Sequence, residues 1–188
     1  MGDASEERRR FEEIYAAHYE AISRYALRRT GSPDDAVDVL SETFLTAWRR
    51  LDAVPDGDGT LLWLYGVARR VLANHHRGTV RRELLISRLR GEFLEAAPEH
   101  AVAEQAVADE LRAAFGRLSD DDRELLALTG WEGLRPAEIA EVLGCRAAGV
   151  RVRLHRARKR LAAELAKEGL DAERYGAPAV AMTEGALG

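Results

Sequence analysis

The sequence predicts an all-α fold, two small helical domains joined by an acidic linker, with a helix-turn-helix in the second. Three observations carry this. Apolar residues recur at steps of three and four in segment after segment, with no strand-like alternation. Acids dominate Glu92 to Glu110 around Pro98 and separate two groups of such segments. In the second group, a short apolar-striped segment, a glycine turn and a long arginine-rich segment follow one another.

The first helix spans about Glu6 to Arg29, with Phe11, Ile14, Tyr15, His18, Ile22 and Tyr25 on one stripe, and Gly31, Ser32 and Pro33 stop it. His18 lies on the apolar side with no second ligand one turn away, so the spacing favours a buried histidine over a metal ligand. Ser32 caps the second helix, Pro33 opens it, and Asp34 and Asp35 suit the positive end of its dipole. Its stripe is Val37, Leu40, Phe44, Trp48 and Leu51. Asp38 and Glu42 lie one turn apart beside that stripe. Such a pair can hold a divalent cation or act as acid and base, but no histidine or further acid joins it, which favours a solvated or partner-facing acidic patch.

Ala53 to Thr60 is a loop by composition. A third helix runs from about Leu61 to Arg77, with Leu61, Leu64, Tyr65, Ala68 and Leu72 inward and Arg69, Arg70, Asn74, His76 and Arg77 outward. Aromatics interleaved with cations suit stacking on single-stranded bases, but on this segment alone an ordinary core with a wet basic flank is favoured. Leu84, Leu85 and Leu89 keep helical spacing up to the linker. Beyond it, Val107, Leu111, Ala114, Phe115 and Leu118 form another stripe, and Ser119 with Asp122 three residues later starts the helix of Leu125, Leu126 and Leu128.

Pro136 then opens a short helix with Ile139, Ala140 and Leu143 inward, and Gly144 ends it. After a turn through Cys145 to Ala148, Val150, Leu154, Ala157, Leu161 and Leu165 make one apolar stripe. At about 100 degrees per residue the opposite side carries Val152, His155, Arg156 and Lys159, flanked by Arg151, Arg153, Arg158 and Arg160. No acid interrupts Arg146 through Arg160. A cation-only face suits phosphates and guanine edges in a major groove, whereas an ordinary wet face mixes both signs. Gly169 ends this helix, and the Gly- and Ala-rich tail after it is expected to be disordered.

The formal net charge of -4 excludes a uniformly basic nucleic-acid coat, so contact with DNA has to be local. No apolar run of about 18 residues and no apolar leader is present, which predicts a cytoplasmic protein without membrane insertion. Cys145 is the single cysteine, ruling out an internal disulfide. It reads as a small buried filler of the turn, ahead of a redox sensor beside Arg146. No phosphate-cradling glycine loop, nucleophile motif or metal-ligand spacing occurs, so no catalytic residue, cofactor or metal is expected.

Taken together, SPDDAVDVLSETFLTAWRRLD, WLYGVARRVLANHHR, LSDDDRELLALTGWEGLRPAEIAEVLG and VRVRLHRARKRL resemble, in that order, the extracytoplasmic-function group of bacterial sigma-70-type sigma factors. The resemblance covers nearly the whole chain up to about Leu165. It implies a first domain over 6–90, an acidic linker over 91–104 that threads the polymerase's RNA channel, a second domain over 105–168, and a tail over 169–188. It further implies that Asp38, Glu42, Phe44 and Trp48 meet the clamp helices of the largest subunit of core RNA polymerase. The loop Ala53 to Thr60, with Arg69, Arg70, Asn74, His75 and Arg77, would capture bases of the melted minus-10 strand. Arg151, Val152, His155 and Arg156 would read the minus-35 duplex, with Arg146, Arg153, Arg158 and Lys159 gripping its backbone. Promoter DNA and an anti-sigma factor that buries both halves are the other implied partners, in a nucleoid-associated setting. This chain departs from the family's pattern at Arg135 and Gly149, where a Ser or Thr cap is usual, and at Val37 and Arg70.

Two other classes fit parts of the sequence. A stand-alone helix-turn-helix regulator would use the first half to dimerise or sense, and would footprint a palindrome without polymerase. An enzyme would need Asp38 and Glu42 to act with His18 or His75.

Overall fold

The computed structural model describes residues 3–30, 32–86 and 110–170, with side chains placed for 4–30, 32–74 and 110–170. The acidic linker, the tail and the side chains of His75 and Arg77 lie outside the described residues. The chain divides into two compact units, Met1–Glu92 and Phe93–Gly188. All regular structure among the described residues is helical, and none of the described helices is long and apolar enough to cross a membrane.

In the first unit, α1 (Asp3–Leu27), α2 (Pro33–Arg49) and α3 (Gly59–Ile86) pack against one another pairwise. Ile14, Ile22, Tyr25 and Ala26 of α1 meet Val39, Leu40, Phe44 and Ala47 of α2 and Leu64, Tyr65, Val67, Ala68 and Leu72 of α3. Each fully buried Leu, Ile or Phe contributes roughly 1.5–3 kcal/mol relative to exposure. The start of α2 follows from its sequence: Ser32 is the N-cap, its Oγ accepts the Asp35 N–H, Pro33 opens the helix, and Asp34 and Asp35 face the positive dipole end. A short 3₁₀ turn, η1 (Leu51–Ala53), leads into the loop before α3. α3 runs beyond the expected Arg77 to Ile86, passing through Gly78, whose cost of about 1 kcal/mol against Ala is too small to end a long helix.

α2 is rotated relative to the stripe that the sequence suggests. Its buried face is Ala36, Val39, Leu40, Thr43, Phe44 and Ala47, while Val37 is 58% and Trp48 44% exposed. The small residues explain this. Ala36, Thr43 and Ala47 let neighbouring helices approach closely, and the Thr43 hydroxyl is satisfied within its own helix by donating to the Val39 carbonyl at 2.6 Å. Tyr15 on α1, expected inward, is 41% exposed, because Ile14, Ile22 and Tyr25 fill the interior without it.

The second unit holds α4 (residues 110–116), α5 (Asp120–Gly130), α6 (Pro136–Leu143) and α7 (Ala147–Lys167). Leu111, Ala114, Phe115 and Leu118 are buried, and the Phe115 ring meets Trp131 at 5.9 Å between centroids. α5 starts at Ser119, whose Oγ accepts the Asp122 N–H at 3.2 Å. α6 and α7 pack on each other and on α5, with Val150, Leu154, Ala157, Leu161 and Leu165 forming the buried stripe of α7. α7 ends at Gly169, whose φ of 74° lets the Leu170 N–H reach back to the Leu165 carbonyl.

Candidate nucleic-acid interface

Between α6 and α7 the chain turns in the way a helix-turn-helix requires. Gly144 adopts φ 65°, a left-handed conformation that a side chain would strain, and the Cys145 N–H closes the turn on the Ala140 carbonyl at 2.9 Å. α6 lacks a Ser or Thr cap. The Glu138 carboxylate instead accepts the backbone N–H of Arg135 at 2.7 Å and pairs with its guanidinium. These contacts with Arg135 hold the Glu138 carboxyl below its ordinary value.

Two expectations about the turn are corrected. Cys145 is exposed rather than a buried filler, because the turn packs through Val142 and Ile139 on one side and Val150 on the other. Gly149 is not the cap of α7. The helix starts at Ala147 with Arg146 as N-cap, since two alanines extend it readily, and Gly149 lies inside the first turn. Arg146 offers no side-chain acceptor and the first turn holds no acid, so the positive end of the α7 dipole is left uncompensated.

Arg151, Val152, His155, Arg156, Arg158 and Lys159 are all exposed opposite the buried stripe, Val152 at 51%. None of these five charged or titratable side chains has an ion-pair partner among the described residues. The flanking cations differ. Arg153 is half-buried and faces Asp121 of α5 at 3.4 Å. Arg160 Nη1 donates to both oxygens of buried Asp122, at 2.9 and 2.7 Å. Farther along α7, Arg117 donates to Glu164 at 2.8 Å and Glu168 at 2.5 Å, and Lys167 donates to Glu164 at 2.6 Å. Lys167 and then Arg117 hold the Glu164 carboxyl below its ordinary value. The recognition helix is thus anchored by its stripe, by two α5 carboxylates and by this network, while one basic face stays open.

In the first unit, Arg70 and Asn74 are exposed on α3 and Arg69 is half-buried. Tyr65 is buried with its ring 5.1 Å from that of Tyr25, so it belongs to the core and not to a stacking platform; Trp63 is half-exposed. The loop before α3 covers residues 54–58, shorter than Ala53 to Thr60, because η1 and α3 take up its ends.

On α2, Asp38 and Glu42 are exposed, with Glu42 3.8 Å from Arg49. Phe44 is only 4% exposed, which corrects its place as a contact residue: it lies under Tyr15, at 4.7 Å between ring centroids, and supports the surface from below. Trp48 stays at the surface with its ring edge-on to Phe11 at 5.1 Å. Sequence reasoning missed Val37, Leu45, Tyr15 and Tyr19, all exposed, which with Trp48 make the outer faces of α1 and α2 partly apolar. The signal available was the small-residue face of α2, which turns these larger side chains outward. No group of three or more His, Cys, Asp or Glu suited to a metal is present among the described residues.

Comparison with known proteins agrees with this layout. Residues 14–82 match the family described as Sigma-70 region 2, and residues 108–161 match Sigma-70, region 4. The chain is 30% identical to the RNA polymerase sigma factor YlaC of Bacillus subtilis, over 83% of this chain and 92% of the relative. It is equally 30% identical to the ECF RNA polymerase sigma factor SigL of Mycobacterium tuberculosis, over 90% of this chain and 96% of the relative. Among solved structures, that of CnrH in complex with the cytosolic domain of CnrY is similar with a TM-score of 0.57 and 26% identity, covering 85% of this chain and 90% of that one. The all-helical architecture of the described residues, the helix-turn-helix in the second unit and similarity to these relatives over 83–90% of the chain identify it as a member of the extracytoplasmic-function group of sigma-70 RNA polymerase sigma factors.

Proposed function

We propose that this sigma factor carries out its role in transcription initiation through three separate surfaces. The exposed face of α2, with Asp38, Glu42 and Trp48 beside Val37 and Leu45, docks on the clamp helices of core RNA polymerase. The loop at 54–58 and α3, through Arg69, Arg70, Asn74, His75 and Arg77, capture bases of the opened minus-10 strand. The face of α7 reads the minus-35 duplex, with Arg151, Val152, His155 and Arg156 toward base edges and Arg146, Arg158 and Lys159 toward the backbone, while Asp121 holds Arg153 at the edge of that face. Residues 6–90 form one domain carrying the first two surfaces and 105–168 a second carrying the third, joined by the acidic stretch 91–104, with 169–188 outside both. As a sigma factor the chain is not an enzyme.

The observation that carries this reading is the α7 face: cations without partners stand opposite a fully buried stripe, and the cations that do have partners are drawn away from that face. A helix so anchored presents one fixed register to a major groove. CnrH has been solved with the cytosolic domain of CnrY, and a bound partner of that kind supports control of this chain by an anti-sigma protein. The protein works in the cytoplasm, at the nucleoid. Run-off transcription tests the reading: core polymerase plus this chain should yield a transcript from a promoter mapped by sequencing RNA after overexpression. A footprint on a palindrome without polymerase, and no promoter-dependent transcript, would overturn it.

A further inference from the structure

Three consecutive arginines, Arg8 to Arg10, lie near the start of α1, and they do not behave alike. Arg8 pairs with Glu12 at 2.9 Å, and Arg9 with Glu6 and Glu13 at 2.5 and 3.0 Å, all on the wet side of their own helix. Such pairs on an exposed helix face contribute little. Arg10 reaches across the unit instead. Its Nη1 donates to the Leu51 carbonyl at 3.1 Å, and its Nη2 donates to the Val54 carbonyl at 2.8 Å and to Asp56 Oδ1 at 2.8 Å. One planar guanidinium therefore grips three points of the segment that leads from η1 into α3, from more than 40 residues away in sequence.

That segment is also fixed from its other side. The buried Thr60 hydroxyl donates to the Pro55 carbonyl at 2.6 Å. A Cβ at Gly59 would lie 3.0 Å from Pro55 Cβ, so the chain there is already in close contact. Gly57, at φ 64°, makes the turn itself. Arg10 is thus the only long-range side-chain tie among the described residues on a loop whose far end is set by Thr60 and Gly59.

We propose that Arg10 is a positioning residue for minus-10 recognition: it presets the loop 54–58 for base capture and neutralises Asp56, an exposed carboxylate of that loop. This rests on the reading that the loop and α3 handle opened DNA. The charge matters as much as the geometry. Asp56 is 92% exposed, and without Arg10 it would meet phosphates as a bare anion. Lysine at position 10 would keep one positive charge, but it lacks the planar fork that spans two carbonyls and a carboxylate.

The test uses holoenzyme reconstituted from core polymerase and the full chain, with Arg10→Lys, Arg10→Met and Asp56→Asn. The probe is a single-stranded oligonucleotide carrying the nontemplate minus-10 sequence of a promoter mapped from the protein's own transcripts, together with copies substituted one base at a time. Preference for the cognate base should fall by about tenfold in Arg10→Met, in line with loss of a well-placed base contact, and by less in Arg10→Lys. Asp56→Asn should keep most of that preference and, combined with Arg10→Met, should restore part of the affinity that Arg10→Met loses at low salt. Core affinity and duplex minus-35 binding should be unchanged in all three, and amide exchange across 55–60 should quicken in Arg10→Met. Wild-type preference in either Arg10 variant would overturn the proposal, as would loss of the folded state in both, which would make Arg10 a core residue. A wild-type holoenzyme that shows no base preference at all would instead sink the reading of the loop.

Discussion

Replacing Asp122 with asparagine, and Arg160 with methionine, singly and together, tests whether the recognition helix is held by more than its apolar stripe. Asp122 is 6% exposed in the first turn of α5, and Arg160 donates to both of its carboxylate oxygens at 2.9 and 2.7 Å. The arginine side chain keeps 57% of its exposure. Wholly exposed pairs contribute about 0.2–1 kcal/mol, and breaking a wholly buried pair costs about 3–5 kcal/mol. One buried and one wet partner place this pair between the two limits. Each single variant should therefore lose about 1–2 kcal/mol, and the double-mutant cycle should return a coupling of about 1 kcal/mol. Asparagine keeps the N–H that Ser119 accepts, so the cap is not part of the loss.

The three tryptophans are Trp48, Trp63 and Trp131, and only Trp131 lies in the second unit. In a Trp48→Phe, Trp63→Phe background, denaturant unfolding followed by fluorescence reports that unit alone. For a unit of this size 1 kcal/mol corresponds to about 4–8 °C in Tm, well above measurement error. A coupling below about 0.3 kcal/mol would refute the reasoning, because it would mean that solvent screens the pair as it does an exposed one.

Gly149→Ala should stabilise the second unit by about 0.5–1 kcal/mol, since the position is helical and a Cβ there meets nothing within 4 Å; a lower denaturation midpoint would contradict this. Burial lowers the His18 imidazole below its ordinary value, so the unfolded chain binds the extra proton first. Stability of the first unit should fall as pH drops below about 6.5, and His18→Gln should flatten that slope in pH-dependent melts. Phe44→Ala should cost about 3–5 kcal/mol and lose the fold of the first unit, whereas Trp48→Ala should cost about 1 kcal/mol and weaken core polymerase binding by tenfold or more, read by thermal melts beside a binding titration. Arg156→Ala should weaken minus-35 binding by about 1–3 kcal/mol at one base pair in a panel of substituted duplexes, and uniform loss across the panel would assign it to phosphate.

Local chemistry was legible wherever one residue type has one dominant use. Ser32, Ser119, Gly144 and Gly169 each mark the helix end that they form, and the α7 stripe is buried at every position expected. Reading failed where small residues carry the packing. Ala36, Thr43 and Ala47 weigh little in an apolar pattern, yet they decide which way α2 turns, so Val37 and Trp48 face out and Phe44 faces in. Ala147 and Ala148 likewise pull the start of α7 two residues ahead of Gly149. Long-range polar ties left no trace in any local window: Arg10 finds its partners 41 to 46 residues away, and Arg160 finds Asp122 at 38.

Those ties also change what the arginine run on α7 means. In sequence it is an uninterrupted cationic stretch, and more positive charge implies tighter and less selective binding to any DNA. In the folded unit, Asp121 and Asp122 draw Arg153 and Arg160 to the edge of that face and leave a narrower set of cations around Val152, His155 and Arg156. Each cation withheld from phosphate removes close to one released counterion from the binding equilibrium, and so lowers nonspecific affinity without touching base contacts. A net charge of -4 works in the same direction. On the proposed reading of α7, a reader tuned this way should bind DNA poorly by itself and become selective when the polymerase supplies the affinity that α7 gives up.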